Sequence, residues 1–244
     1  MHLLKDEDCN DIKYILTRLL GKAGYEFKKL PVSGSDKSDL IRLQADVKKL
    51  DKIKIHFGSG PRILKGWIDI DLSYAHFGPY LQYYTYKHYP EAIRGNRDDL
   101  YIIEYFNDGI PLPDESVDII FHEDFFEHHT QKQQIIFLAE TLRVMKKGAV
   151  QRINTHNLVA SMRDNSSFEK GKTGVYTAEW DNWENHSIVS PTILEDMVKI
   201  VGYSKIFFNS KDKSIAAKEL PLEYRPDEND RATANSNVFA NLVK

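Results

Sequence analysis

Residues 52–72 read KIKIHFGSGPRILKGWIDIDL. The first six, KIKIHF (52–57), alternate and are rich in β-branched residues, as a buried strand is. WIDIDL (67–72) reads as a second strand. Between them lies Gly58-Ser59-Gly60. Glycines directly after a strand let the backbone approach a ligand, because no Cβ intervenes. Taken alone, such a run is equally a plain tight turn. Asp69 and Asp71 point the same way from the second strand, and either carboxylate could accept the two hydroxyls of a ribose. A solvated strand end is the bland alternative. Only nine residues (58–66) separate the strands, and Asp71 lies eleven residues after Gly60. A dinucleotide fingerprint has about twenty there. A parallel crossover usually needs a dozen or more residues, so the first helix is expected to be nearly absent, one turn at 61–65.

Upstream, Ile12, Ile15, Leu16, Leu19 and Leu20 recur at helical spacing, and Gly21 and Gly24 stop that helix. Ser38 or Asp39 is expected to cap a second helix running to about Leu50. Residues 1–50 are therefore read as a helical extension and 51–244 as the main domain. Downstream, 101–106 and 116–121 read as strands. Residues 131–146 read as an amphipathic helix through Ile135, Ile136, Leu138, Leu142 and Met145, ended by Lys146-Lys147-Gly148. AVQRINTH (149–156) reads as the fifth strand. Residues 191–201 read as a helix with Pro191 in its first turn and Gly202 at its end. SKIFFNS (204–210) and NVFANLVK (237–244) complete seven strands. Strands alternating with helices predict an α/β fold: a Rossmann-like, mostly parallel sheet with helices on both faces. The last two strands have no long helix between them, so the final one is expected to run antiparallel.

In such a sheet ligands sit at the carboxyl ends of the strands. The fourth strand ends in His122-Glu123-Asp124-Phe125-Phe126-Glu127-His128-His129, three carboxylates and three histidines in eight residues. There is no paired i, i+4 histidine motif, so no metal is expected. The 244-residue chain has 33 Lys and Arg against 36 Asp and Glu, net charge -3. That leaves no basic excess for a phosphate backbone, and nucleic acid is not expected as a partner. The single cysteine, Cys9, excludes an internal disulfide and points to a reducing cytoplasm. No signal peptide is read at the start, and no apolar run reaches the ~18 residues of a spanning helix, so no membrane partner is expected.

KIHFGSGPRILKGWIDIDLS, GIPLPDESVDIIFHEDFFEHH and FLAETLRVMKKGAVQRINTHNL, in that order, resemble the class I S-adenosylmethionine-dependent methyltransferases, of the methyltransferase type 11-like kind. The resemblance covers about residues 52–158, and the short link after the glycines is normal in that family. It implies that Phe57, Gly58, Ser59 and Gly60 lie against the methionine portion of S-adenosylmethionine. It implies that Asp71 holds the ribose, that Asn107 and Asp108 approach the adenine, and that His122 and Glu123 wall the pocket. Glu127-His128 matches the family's Glu-His pair. Lys146-Lys147-Gly148-Ala149 departs from the family's Lys-Pro-Gly-Gly, and Thr155-His156-Asn157 stands where a proline is usual.

For an alcohol acceptor a general base helps, and the candidates are His156, His128, His129 and Asp124. Each histidine singly is more often structural. Two aromatic segments read as substrate walls, 74–89 with Tyr80 and Tyr84, and 176–188 with Trp183 and His186. The expected activity is O-methylation of a carbohydrate or other small polar metabolite, leaving S-adenosylhomocysteine. A homodimer stays open. So do two other classes, a catalytically inactive methyltransferase-like interaction protein and a nicotinamide-dependent oxidoreductase.

Overall fold

The structure is a computed structural model that describes residues 35–60, 62–72, 91–107, 109–159, 180, 184–216, 220 and 237–244. The expected helix at 8–20, Cys9 and the aromatic stretch 74–89 lie outside the described residues. Residues 34–244 group as one compact unit.

Seven strands form one sheet: β1 (Lys54–Phe57), β2 (Ile68–Asp71), β3 (Leu100–Ile102), β4 (Val117–Glu123), β5 (Met145–His156), β6 (Lys205–Phe208) and β7 (Asn237–Val243). Their order is β3-β2-β1-β4-β5-β7-β6. β1 to β5 pair in parallel, and β7 runs antiparallel between β5 and β6. The order reverses between β1 and β4, where an open α/β sheet leaves its ligand crevice. Phe57 pairs with His122 and Glu123 with Asn154, so the turns after β1, β4 and β5 share one end of the sheet.

Local signals set three helices. α1 (Lys37–Asp46) is capped by Asp36, whose Oδ1 accepts from Ser38 N at 2.8 Å and Asp39 N at 3.3 Å. Neither Ser38 nor Asp39 is the cap; Asp39 is buried instead, accepting Ile102 N at 2.8 Å and pairing with Arg42. α2 (Gln131–Val144) starts in a capping box between Thr130 and Gln133. α3 (Pro191–Val201) has proline in its first turn and Gly202 at φ 109° as its stop, as its sequence predicts, and Ser190 caps it.

Two boundaries differ from expectation. α2 stops at Val144, and Lys146-Lys147-Gly148 lies in β5. The buried Met145 pairs with Val117, Lys146 Nζ donates to the Asp118 carboxylate, and Gly148 N donates to Lys244 O at 3.1 Å. Pairing with the sheet outweighs the local helix-end signal. β3 ends at Ile102 rather than 106, because the Glu104 carboxylate accepts Phe106 N at 2.8 Å and Asn107 N at 3.0 Å and turns the chain. The β1–β2 link has no helical turn among its described residues; Leu64 forms an antiparallel bridge to Arg94 instead.

Alternate strand residues build the main core. Ile55, Phe57, Ile70, Ile120, Ile153, Ala240 and Leu242 join Leu43 of α1, Phe137 and Leu138 of α2, and Leu194 and Val198 of α3. Fully burying such a side chain is worth about 1.5–3 kcal/mol. A smaller cluster joins Leu64 and Trp67 of the β1–β2 link to Ile119 and Phe121 of β4, beside the buried polar His56, Asp69, Glu123, Arg152 and Asn154. No helix among the described residues is long and apolar enough to cross a membrane.

Candidate active site

The turn after β1 holds Gly58 at φ 60° and Gly60 at φ 52°, conformations that side chains rarely adopt. A Cβ on Gly58 would stand 2.2 Å from Phe125 Cδ2, so this glycine makes room for a protein side chain. Gly60 N donates to Asp71 Oδ2 at 3.0 Å, and Leu72 N donates to Asp71 Oδ1 at 2.7 Å. Asp71 is partly exposed at the strand end. Asp69 is fully buried, accepts Leu64 N at 3.0 Å and lies 2.9 Å from His56 Nδ1. Burial pushes the Asp69 carboxyl well up and the His56 imidazole well down. Of the two carboxylates, therefore, Asp71 is the one partly exposed at the strand end.

Beside it stands Tyr105, which sequence reasoning placed inside a strand. Its Oη is buried with no hydrogen-bond partner. Burial, then the charges of Asp71 and Glu104, push its acidity well away from an ordinary phenol.

Other expected cofactor residues have structural roles. Phe57 is a core side chain, edge-on to Tyr105 and Phe137. Ser59 is buried in the turn. Asn107 is exposed, its main-chain N–H bound to Glu104. His122 is not a pocket wall: it sits in the core among Phe125, Phe126 and Phe137, and burial lowers its pKa to about 3. Glu123, one position on, points to the opposite face. It accepts from Arg62 at 2.8 Å and from Asn154 Nδ2 at 2.7 Å. Asp108, Tyr80, Tyr84 and Trp183 lie outside the described residues.

The base candidates separate by environment. His129 is buried against the rings of Phe106 and Phe125, its Nδ1 2.8 Å from Phe125 O. Burial lowers its pKa to about 4, so it is a structural histidine, not a base. His128 is exposed, with Nδ1 3.5 Å from Glu184 O. Asp124 and His156 come together with a residue that the catalytic expectations omitted, Glu127. Asp124 takes φ 50°, and a short 3₁₀ turn, Phe126–His128, folds the chain back so that Glu127 reaches β5. Glu127 is fully buried. Its Oε2 accepts from Thr155 Oγ1 at 2.7 Å, and its Oε1 lies 3.2 Å from His156 Nε2. His156 Nε2 is 3.9 Å from Asp124 Oδ1. His186 takes part through its backbone: His186 N and Ser187 N donate to Glu127 O at 2.8 and 3.1 Å, while its side chain is exposed. The glutamate was visible in the sequence, but its partner lies on another strand.

No protein-family model matches the sequence, and no curated protein is significantly similar to it. Solved structures are similar in shape. A SAM-dependent methyltransferase from Archaeoglobus fulgidus superposes with TM-score 0.51 at 12% identity, covering 84% of this chain and 92% of that one. A SAM-dependent methyltransferase from Thermotoga maritima gives 0.47 at 15% identity, covering 84% and 89%. The phosphoethanolamine N-methyltransferase 2 of Haemonchus contortus, in complex with S-adenosyl-L-methionine, gives 0.43 at 10% identity over 85% and 52%. With its strand order and antiparallel β7, the chain has the fold of the class I S-adenosylmethionine-dependent methyltransferases.

Proposed function

We propose that the chain is a S-adenosylmethionine-dependent methyltransferase that methylates a hydroxyl of a small polar acceptor, with carbohydrates as the acceptor class. The observation that carries this reading is one crevice end shared by the Gly58–Gly60 turn, Asp71 and the Asp124–Glu127–His156 trio. The residues fit the cofactor on its ribose side. Asp71 presents a carboxylate at the end of β2, and the unpartnered Tyr105 hydroxyl is a buried donor beside it. Phe125 fills the space next to Gly58, so contact at the turn falls to the main chain of Ser59 and Gly60.

The cofactor supplies a methyl group already activated by its sulfonium. The protein has to align the acceptor oxygen with that carbon and promote loss of the hydroxyl proton. The trio at the ends of β4 and β5 is where the acceptor hydroxyl loses that proton. Glu127 is held by Thr155 and lies 3.2 Å from His156 Nε2, and Asp124 is partly exposed.

Calorimetric titration with S-adenosylmethionine and S-adenosylhomocysteine, with NADH as control, tests the reading on wild type and Asp71→Ala. Both sulfur ligands are expected to bind, NADH is not, and Asp71→Ala should weaken binding ten-fold or more (~1.4 kcal/mol). Failure of both sulfur ligands to bind sinks the proposal. Binding without methyl transfer to any of a panel of sugars and small alcohols would favour a non-catalytic module.

A further inference from the structure

We infer that Asp124, Glu127 and His156 bind one divalent first-row cation, Mn²⁺, Fe²⁺ or Zn²⁺. One oxygen from each carboxylate and one imidazole nitrogen all lie within 4.8 Å of one another. His156 Nε2 stands 3.2 Å from Glu127 Oε1 and 3.9 Å from Asp124 Oδ1. Donors ~2.1 Å from a shared ion are about 3.0 Å apart at right angles and about 3.4 Å apart at the tetrahedral angle. The trio therefore needs only small side-chain adjustments to close on an ion.

A second observation points to a ligand. Glu127 is fully buried, and its Oε1, aimed at the other two residues, has no hydrogen bond. Its sister oxygen is held by Thr155, the sort of outer contact that orients a ligating carboxylate. Arg62 is bound to the Glu123 carboxylate and carbonyl at 2.8 and 3.0 Å and lies 3.8 Å from Asp124 Oδ2. Imidazole with two carboxylates suits Mn²⁺, Fe²⁺ or Zn²⁺ better than the all-oxygen shells of Ca²⁺ or Mg²⁺. The sequence hid this site because its nitrogen ligand comes from β5 rather than from the acidic run.

The use of the ion rests on the methyltransferase reading; its binding does not. In that reaction the acceptor hydroxyl ligates the ion, which lowers its pKa. The hydroxyl proton leaves to solvent buffer, and the oxygen forms a bond to the methyl carbon. The carbon–sulfur bond breaks with its electron pair on sulfur, giving S-adenosylhomocysteine and a methyl ether. His156 then acts as a ligand, and its Nε2 takes no proton.

The test titrates chelator-treated full-length protein, without S-adenosylmethionine, with MnCl₂ by electron paramagnetic resonance and with ZnCl₂ by calorimetry. Asp124→Asn and His156→Gln are measured alongside, with circular dichroism melts to show that they fold; asparagine tolerates the positive φ of residue 124. One ion per chain is expected, with a Kd on the order of 100 µM or tighter (~5.5 kcal/mol), weakened ten-fold or more in each folded variant. No binding of either metal at millimolar concentration, or an unchanged affinity in either variant, overturns the site. Cofactor binding without metal binding would overturn this inference alone, and metal binding without cofactor binding would overturn the methyltransferase reading alone.

Discussion

His122 and His129 are enclosed by phenylalanine rings, and burial lowers their pKa to about 3 and about 4. Above pH 6.5 both are neutral in the folded and unfolded chain, and their contribution to stability is complete. As pH falls below 6.5 the unfolded chain takes up protons that the folded one refuses. Each histidine then removes about 1.4 kcal/mol per pH unit until its folded pKa is reached. Urea unfolding should therefore show lower stability at pH 5 than at pH 7, by about 2 kcal/mol for each of the two residues. His129→Gln should recover about half of that loss; equal stability at both pH values would contradict the assignment. His156 is different, because it closes on carboxylates at the crevice end. His156→Ala should lower methyl transfer by roughly 10²- to 10⁴-fold, read as kcat with a radiolabelled methyl group, while cofactor affinity stays near wild type. At this scale the sequence was only partly legible. Alternation put Asp69 and Asp71 on one face but not at one depth, and only the structure shows His56 and Leu64 occupying Asp69.

The turn after β1 is glycine for two reasons, a left-handed φ and the ring of Phe125. Gly58→Ala should lower stability by roughly 2–4 kcal/mol, combining backbone strain with overpacking. Phe125→Ala in the same chain should relieve the packing part, so the double-mutant cycle in thermal melts should show favourable coupling; strict additivity would argue against the contact. Elements whose signals are local were legible. Pro191 and Gly202 mark α3 within a dozen residues of sequence, and both ends agree with the structure. The end of α2 was not, because Lys-Lys-Gly is a sound helix stop and only the partner strand shows that Met145 already belongs to β5. The trio was illegible for the same reason: Glu127 and His156 meet only once β4 and β5 are paired.

Across the whole molecule, the sheet depends on β7. Residues Asn237 to Leu242 are buried, and the pairing with β5 runs from Val150 opposite Val243 to His156 opposite Asn237. The same strand carries β6, from Lys205 opposite Val243 to Phe208 opposite Ala240. A chain stopped after residue 236 should fail to give a cooperative thermal transition, whereas wild type gives one. The sevenfold strand count and the antiparallel final strand were legible because each strand carries its own alternation. What buried polar groups such as Arg152 do was not, since that residue reaches back to Ser210 O at 3.1 Å across the loop after β6.

The placement of β7 also has a consequence for biosynthesis. β7 follows β6 in the chain yet lies between β5 and β6, so β6 cannot join the sheet when it leaves the ribosome. From Phe208 until residues 237–243 emerge, the nascent chain carries an unpaired β5 edge and a strand with no partner. Such an edge recruits other chains as readily as its own. Pauses in translation between residues 208 and 237 therefore prolong the interval in which this protein most needs a chaperone.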